Sequence, residues 1–361
     1  MKSILQSEKL LLLACALAAA GYLADSGASG YGRLASLVET AVLITAILAA
    51  SLSVARHAER VAQKLGDPYG SMILTLSAVL VEVIVLAIVS TKAHSPTLVR
   101  DSIYSAVMLD INGILGVAAL IGGFKHGEQA YNDDSARTYS VMILTAVTVS
   151  MIIPEFIPQS RWRAYSCFTI AAMLLLYGVF LRMQTGPHSY FFSYSYPDKK
   201  TRRPLPTSGY PTRGQSAAVM AIGIIAVGAL AELMSHSLDR SLEGIEVPPG
   251  LVALIVAGIS AAPEMLTALR AALANRMQSV VNIALGASLS TVILTVPAME
   301  ALALITGQRI VMAMTPAQTL MMLVTLLVAA INLNDGQTNA IEGMTHFILF
   351  GTFLMLLGLG L

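Results

Sequence analysis

Stretches of about twenty apolar residues recur along the whole chain, for example SMILTLSAVLVEVIVLAIVS at 71–90 and LVALIVAGISAAPEMLTALRAAL at 251–273, and they leave it few ways to fold. Twenty helical residues at 1.5 Å rise span about 30 Å, the thickness of a bilayer's hydrocarbon core. Composition points the same way. The chain is 56% hydrophobic and 12% charged, whereas soluble domains carry about 25% charged residues. The expected fold class is therefore an all-α polytopic membrane protein. A net charge of +1 gives no reason to expect a nucleic-acid partner. Cys15 and Cys167 lie far apart in apolar segments, so neither a disulfide framework nor a resident metal cluster is implied. No cofactor is expected, and the lipid bilayer is the one large partner implied.

The apolar runs predict about eleven transmembrane helices, at 10–24, 34–55, 71–91, 99–123, 138–157, 164–183, 215–236, 249–271, 278–304, 314–332 and 340–360. Lys2 and Lys9 followed by LLLLACALAAAGYLA also fit a signal peptide, which would leave ten spans. Fifteen Lys and Arg fall at the N-terminus and in loops after even-numbered spans, and seven fall in the other loops. Positive residues favour the cytoplasm, which predicts a cell (inner) membrane protein with its N-terminus inside and C-terminus outside. Residues 184–214 form the longest polar stretch, with five Pro and a KKTRR cluster, and read as a cytoplasmic linker. The predicted organisation is an N-terminal helix (1–33), a five-helix repeat (34–183), the linker (184–214) and a second five-helix repeat (215–361). Five is odd, so the two repeats are expected to be inverted, an arrangement that builds sites at the bilayer midplane.

Glu82 and Glu264 sit in the middle of equivalent spans of the two halves. A carboxylate at membrane depth costs several kcal/mol and marks a functional site by default. Ser71, Thr75 and Ser77 precede Glu82 on its helix, where a hydroxyl either binds a cation or bonds back to the backbone. Pro263 directly precedes Glu264 and removes an amide donor, predicting freed carbonyls near Ile259 and Ser260. The following span of each half is polar for its depth: Asp110 and Asn112 in the first; Asn282, Ser288, Ser290 and Thr291 in the second. Carboxylates, hydroxyls and carbonyls make a hard oxygen set suited to Na⁺, K⁺ or Ca²⁺, with Glu82 and Glu264 as the metal ligands. Buried acids also take up protons, so protons and cations compete for the same groups. Glu39 and Glu300 read as interfacial, and His346 as a structural histidine.

Four stretches carry a family resemblance. HAERVAQKLGDPYGSMILTLSAVLVEVI at 57–84, LVRDSIYSAVMLDINGILG at 98–116, GASLSTVILTVP at 286–297 and DGQTNAIEG at 335–343 resemble the calcium/cation antiporter superfamily. Within it they look most like the bacterial sodium-potassium/proton, or calcium/proton, antiporters of the cation/proton exchanger branch. The resemblance implies that Glu82 and Glu264 carry transport, and brings Asp335, Asn339 and Glu342 in as secondary candidates alongside Thr75, Ser77 and Asn282. Where that branch places Gly and Asn before the first Glu, this chain has Ala78 and Val79; before the second it has Ser260 and Ala261. The missing amides favour monovalent ions, and Asp110, at a position where many relatives have Asn, favours a divalent one.

The function expected is a secondary antiporter exporting Na⁺, K⁺ or Ca²⁺ in exchange for protons by alternating access. Its partners are small inorganic cations and protons. Strict Ca²⁺/H⁺ exchange is the nearest alternative, and a cation channel is another. An intramembrane enzyme lacks support, since neither H-E-x-x-H nor G-x-S-x-G occurs. Oligomeric state leaves no trace in the sequence.

Overall fold

The computed structural model describes residues 8–25, 32–65, 69–93, 95–186, 189–192, 213–243 and 247–361. Eleven apolar helices form its framework: α1 (Lys9–Asp25), α2 (Arg33–Leu65), α3 (Tyr69–Ala93), α4 (Leu98–His126), α5 (Asp133–Phe156), α6 (Gln159–Thr185), α7 (Arg213–Leu242), α8 (Pro249–Leu273), α9 (Met277–Thr306), α10 (Pro316–Asn332) and α11 (Ala340–Gly358). Eight of them carry stretches long and apolar enough to cross a membrane. α1, α3 and α10 contribute the shorter apolar stretches Lys9–Leu23, Thr75–Thr91 and Pro316–Asn332. Each expected span thus has its helix. The KKTRR cluster of the linker and the side chain of Ser71 lie outside the described residues.

The chain divides into two compact units, each drawing on both sides of the linker. One comprises Met1–Val81 and Ser193–Ser241. In it, hydroxyls join α2 to α7: Thr40 Oγ1 donates to Ser237 Oγ at 3.0 Å, and Ser237 Oγ donates to the Ser36 carbonyl at 3.0 Å. Glu39, expected to be interfacial, lies at the edge of this seam with its side chain 42% exposed and pairs with Arg240 at 3.4 Å.

The other unit comprises Glu82–Phe192 and Leu242–Leu361. Its centre is set by α4 and α9, whose apolar windows are 72% and 67% buried, against 22–44% for the other long spans. They supply the core with Ile103, Met108, Ile111, Ile114, Leu285, Val292 and Ile293. Both central helices widen into π-helix at mid-length, at Leu109–Leu115 and Thr291–Thr295. The second has a covalent reason. Pro297 lacks an amide hydrogen, so the carbonyl one turn earlier loses its donor, and an extra residue in the turn relieves the clash of the ring. α5 repeats the device, with π-helix at Thr148–Ile152 ahead of Pro154. Pro263 behaves otherwise: α8 continues as α-helix through it, and Ser260 Oγ bonds to the Val256 carbonyl at 3.4 Å.

The DGQTNAIEG stretch builds the entry to α11. Gln337–Thr338 (β2) pairs antiparallel with Gln129–Ala130 (β1), just past the end of α4. Gly336 turns the chain at φ +75°, a region costly for any residue with a Cβ. Asn339 then caps α11, its Oδ1 accepting from the amides of Ile341 (2.9 Å) and Glu342 (3.2 Å). Two turns of α4 and α11 touch backbone to backbone. A Cβ on Gly343 would sit 2.3 Å from the Leu120 amide nitrogen, and one on Gly123 would sit 2.3 Å from that of Ala340. Glycine there permits the approach.

Candidate cation site

Glu82 lies at mid-length on α3, in a run whose every other side chain from Leu80 to Val89 is apolar. Its Oε2 accepts two hydroxyl hydrogens from α9, from Thr291 Oγ1 at 3.1 Å and Thr295 Oγ1 at 3.0 Å. These threonines are the first and last residues of the π-helical turn, so that turn delivers both hydroxyls to one oxygen. Asp110 lies in the corresponding turn of α4 and is 2% exposed. Its Oδ2 accepts from Ser288 Oγ of α9 at 3.2 Å. Glu264, on α8, is half-buried, and its Oε2 is enclosed without a hydrogen-bond partner. Asp110 is within electrostatic reach of both glutamates, and the glutamates are within reach of each other.

Three carboxyl groups from three helices therefore share one interior, with hydroxyls from a fourth. Among the described residues, no three His, Cys, Asp or Glu side chains close into a ready metal cage. Three negative charges at this depth are tolerable only with protons or a cation among them.

The other expected ligands are placed elsewhere. Asn112 turns away from the carboxyls: its Nδ2 donates to Thr325 Oγ1 at 2.7 Å, and its Oδ1 accepts from His346 Nδ1 at 2.9 Å. That bond ties His346 to Asn112 in the packed interior. Asn282 bonds to Gln278 at 2.9 Å and to the Phe192 carbonyl at 3.0 Å. The hydroxyls of Ser77, Ser260 and Ser290 bond back to their own helices. Thr75 is half-buried on α3, nearly two turns before Glu82. Asp335, Asn339 and Glu342 are engaged at the α11 entry, where Asp335 Oδ1 accepts from the Gln337 amide at 3.0 Å.

Thr295 joins the site without having been among the expected ligands; its signal in the sequence is that Ser288, Thr291 and Thr295 follow at spacings of three and four, a hydroxyl stripe on one helical face. Glu300 also differs from its expected interfacial place. It is 4% exposed and accepts from Ser166 Oγ of α6 at 3.3 Å.

Apolar helices with buried acids facing one another at mid-depth define an integral membrane transport protein. The chain belongs to the sodium/calcium exchanger protein family, whose pattern matches residues 35–186 and again 215–359. It is 33% identical over 314 residues to the sodium-potassium/proton antiporter ChaA of Escherichia coli, covering 86% of each chain. It is 22% identical over 339 residues to a Ca²⁺/H⁺ antiporter of Aphanothece halophytica, covering 88% of this chain and 89% of that one. Among solved structures, native YfkE shares the fold with a TM-score of 0.77 at 20% identity, over 97% of this chain and 98% of that one.

Proposed function

We propose that this protein exchanges Na⁺, K⁺ or Ca²⁺ for protons across the cell (inner) membrane, with Glu82, Glu264 and Asp110 as the groups that alternately hold cation and proton. The observation that carries this reading is the Glu82 carboxylate held by Thr291 and Thr295 within reach of Asp110 and Glu264. On the acidic outer side the carboxyls take protons and release the cation. On the cytoplasmic side they lose the protons and bind the next one. Coupling follows because the two cargoes need the same oxygens. The protein is a transporter and not an enzyme, and works by alternating access.

Two matches to one family pattern, on either side of the linker, support a pair of repeats at 34–183 and 215–361. An odd number of spans in each inverts one against the other. The excess of Lys and Arg supports a cytoplasmic N-terminus and an outer C-terminus. Monovalent cargo is favoured by the higher identity to a sodium-potassium/proton antiporter than to a Ca²⁺/H⁺ antiporter. Strict Ca²⁺/H⁺ exchange has its own support in Asp110, a third acid suited to a divalent ion.

The test is the collapse of a preformed pH gradient in everted vesicles titrated in parallel with Na⁺, K⁺ and Ca²⁺. Collapse with Na⁺ or K⁺ establishes monovalent exchange. Collapse with Ca²⁺ alone establishes the divalent reading. A gradient that survives all three refutes exchange.

A further inference from the structure

Glu300 is a fourth acid inside the second unit, and the cation site does not use it. It sits on α9 between Thr295 and the helix end at Thr306, five residues past Thr295, which is about 7.5 Å of helix rise. Its Oε1 accepts from Ser166 Oγ, while Oε2 is buried with no hydrogen-bond partner. Among the described residues no ion pair reaches it. The titratable group facing it is Tyr165 of α6, whose O–H is committed to the Val149 carbonyl of α5 at 2.7 Å.

A buried carboxyl serving only packing would be saturated, since each unmet polar atom costs about 1–3 kcal/mol. Here one oxygen is held by a single weak bond and the other is open. One carboxyl and one hydroxyl are too few oxygens for a cation that takes six or more, but they suffice for a proton. Glu300 also shares a helix with the two threonines that grip Glu82.

We propose that Glu300, held by Ser166, is a proton-relay carboxyl between one membrane face and the Glu82 site. It rests on the exchange reading above, whose topology puts this end of α9 outside. Glu300 Oε2 takes a proton from the outer side, releases it through water toward the Glu82 carboxylate, and returns to its ionised form. Asp110 and Glu264 retain the cation-holding role. Glu300 adjusts how fast protons arrive.

The experiment compares wild type, Glu300→Gln, Glu300→Asp and Ser166→Ala in everted vesicles, with folding followed by size-exclusion profile. Two fluxes are read. One is cation-driven proton movement as a function of pH. The other is isotopic cation self-exchange, which needs no proton. Glutamine keeps the acceptor for Ser166 and removes the titration. The expected result is proton-coupled flux about a hundredfold lower in Glu300→Gln, the low end of the range for loss of a proton-transfer group, with a flattened pH profile. Self-exchange stays at the wild-type rate, Glu300→Asp recovers part of the coupled flux, and Ser166→Ala shows a milder form of the defect. A Glu300→Gln protein with the wild-type pH profile overturns the relay. So does parallel loss of both fluxes that aspartate does not relieve. If Glu300→Gln does not fold, Glu300→Asp and Ser166→Ala decide by the same two fluxes. A wild-type protein with cation self-exchange but no proton movement refutes proton exchange itself, and the relay falls with it.

Discussion

A carboxylate in the middle of a bilayer persists only if something compensates its charge, and here hydroxyls supply part of that compensation. Glu82 receives two hydroxyl hydrogens, Asp110 receives one, and Glu264 Oε2 receives none. Glu264 therefore has the most to gain from a cation. Glu264→Gln should abolish cation-driven proton flux in everted vesicles while the protein still inserts and elutes normally, and Glu82→Gln should do the same. Replacing both Thr291 and Thr295 by Val should leave exchange measurable but change the apparent KM for the cation by about tenfold, since each hydroxyl bond to a charged group contributes about 1.5–3 kcal/mol and the cation replaces part of it. Titrating cation against flux in that double variant checks the size of the change. At this scale the two central glutamates were legible because an acid in an apolar run stands out whatever the fold. Asn112 was not, because an amide on a polar helix face has several neighbours to choose from, and packing gave it Thr325 and His346.

At the scale of the helix, the π turns of α4 and α9 place the hydroxyls and Asp110 on the interior. Pro297 gives a chemical cause for one of them, and the sequence showed the proline without showing the turn. Gly343 illustrates the opposite case, a residue whose lack of a side chain is the function. Gly343→Val should lower the unfolding temperature of the detergent-solubilised protein by several degrees, because the backbone of Leu120 cannot yield as a flexible side chain would. Gly351→Val on the same helix, where a Cβ meets nothing within 4 Å, should leave it nearly unchanged. An equal effect at both positions would contradict the close crossing of α4 and α11. The DGQTNAIEG stretch was legible as a marked segment; that its Asn339 caps a helix and its Gly343 seats one helix on another emerged only from the packing.

At the scale of the whole molecule, the proposed exchange has proton and cation compete for one set of oxygens. Acidification on the cation-binding side must therefore raise the apparent KM for the cation, and alkalinisation must lower it, with the maximal rate less affected. Measuring KM at several pH values at constant cation gradient checks the sign; a KM independent of pH would place the two cargoes on separate groups. The proposed topology carries a second prediction: a reporter fused after Leu361 should be active only in the outer compartment, and one inserted in the 184–214 linker only in the cytoplasm.

The helix count, the spans and the setting of two acids inside apolar runs were determined by the sequence alone, because insertion into lipid depends on local runs of apolar residues and on isolated charges, both one-dimensional properties. The tertiary structure decided which polar groups meet. It turned Thr291 and Thr295 onto Glu82, sent Asn112 and Asn282 elsewhere, and buried Glu300 against Ser166. Those choices depend on helix rotation, on π turns that shift every later residue around the axis, and on which of several neighbours comes within 3 Å, none of which a single helix encodes by itself.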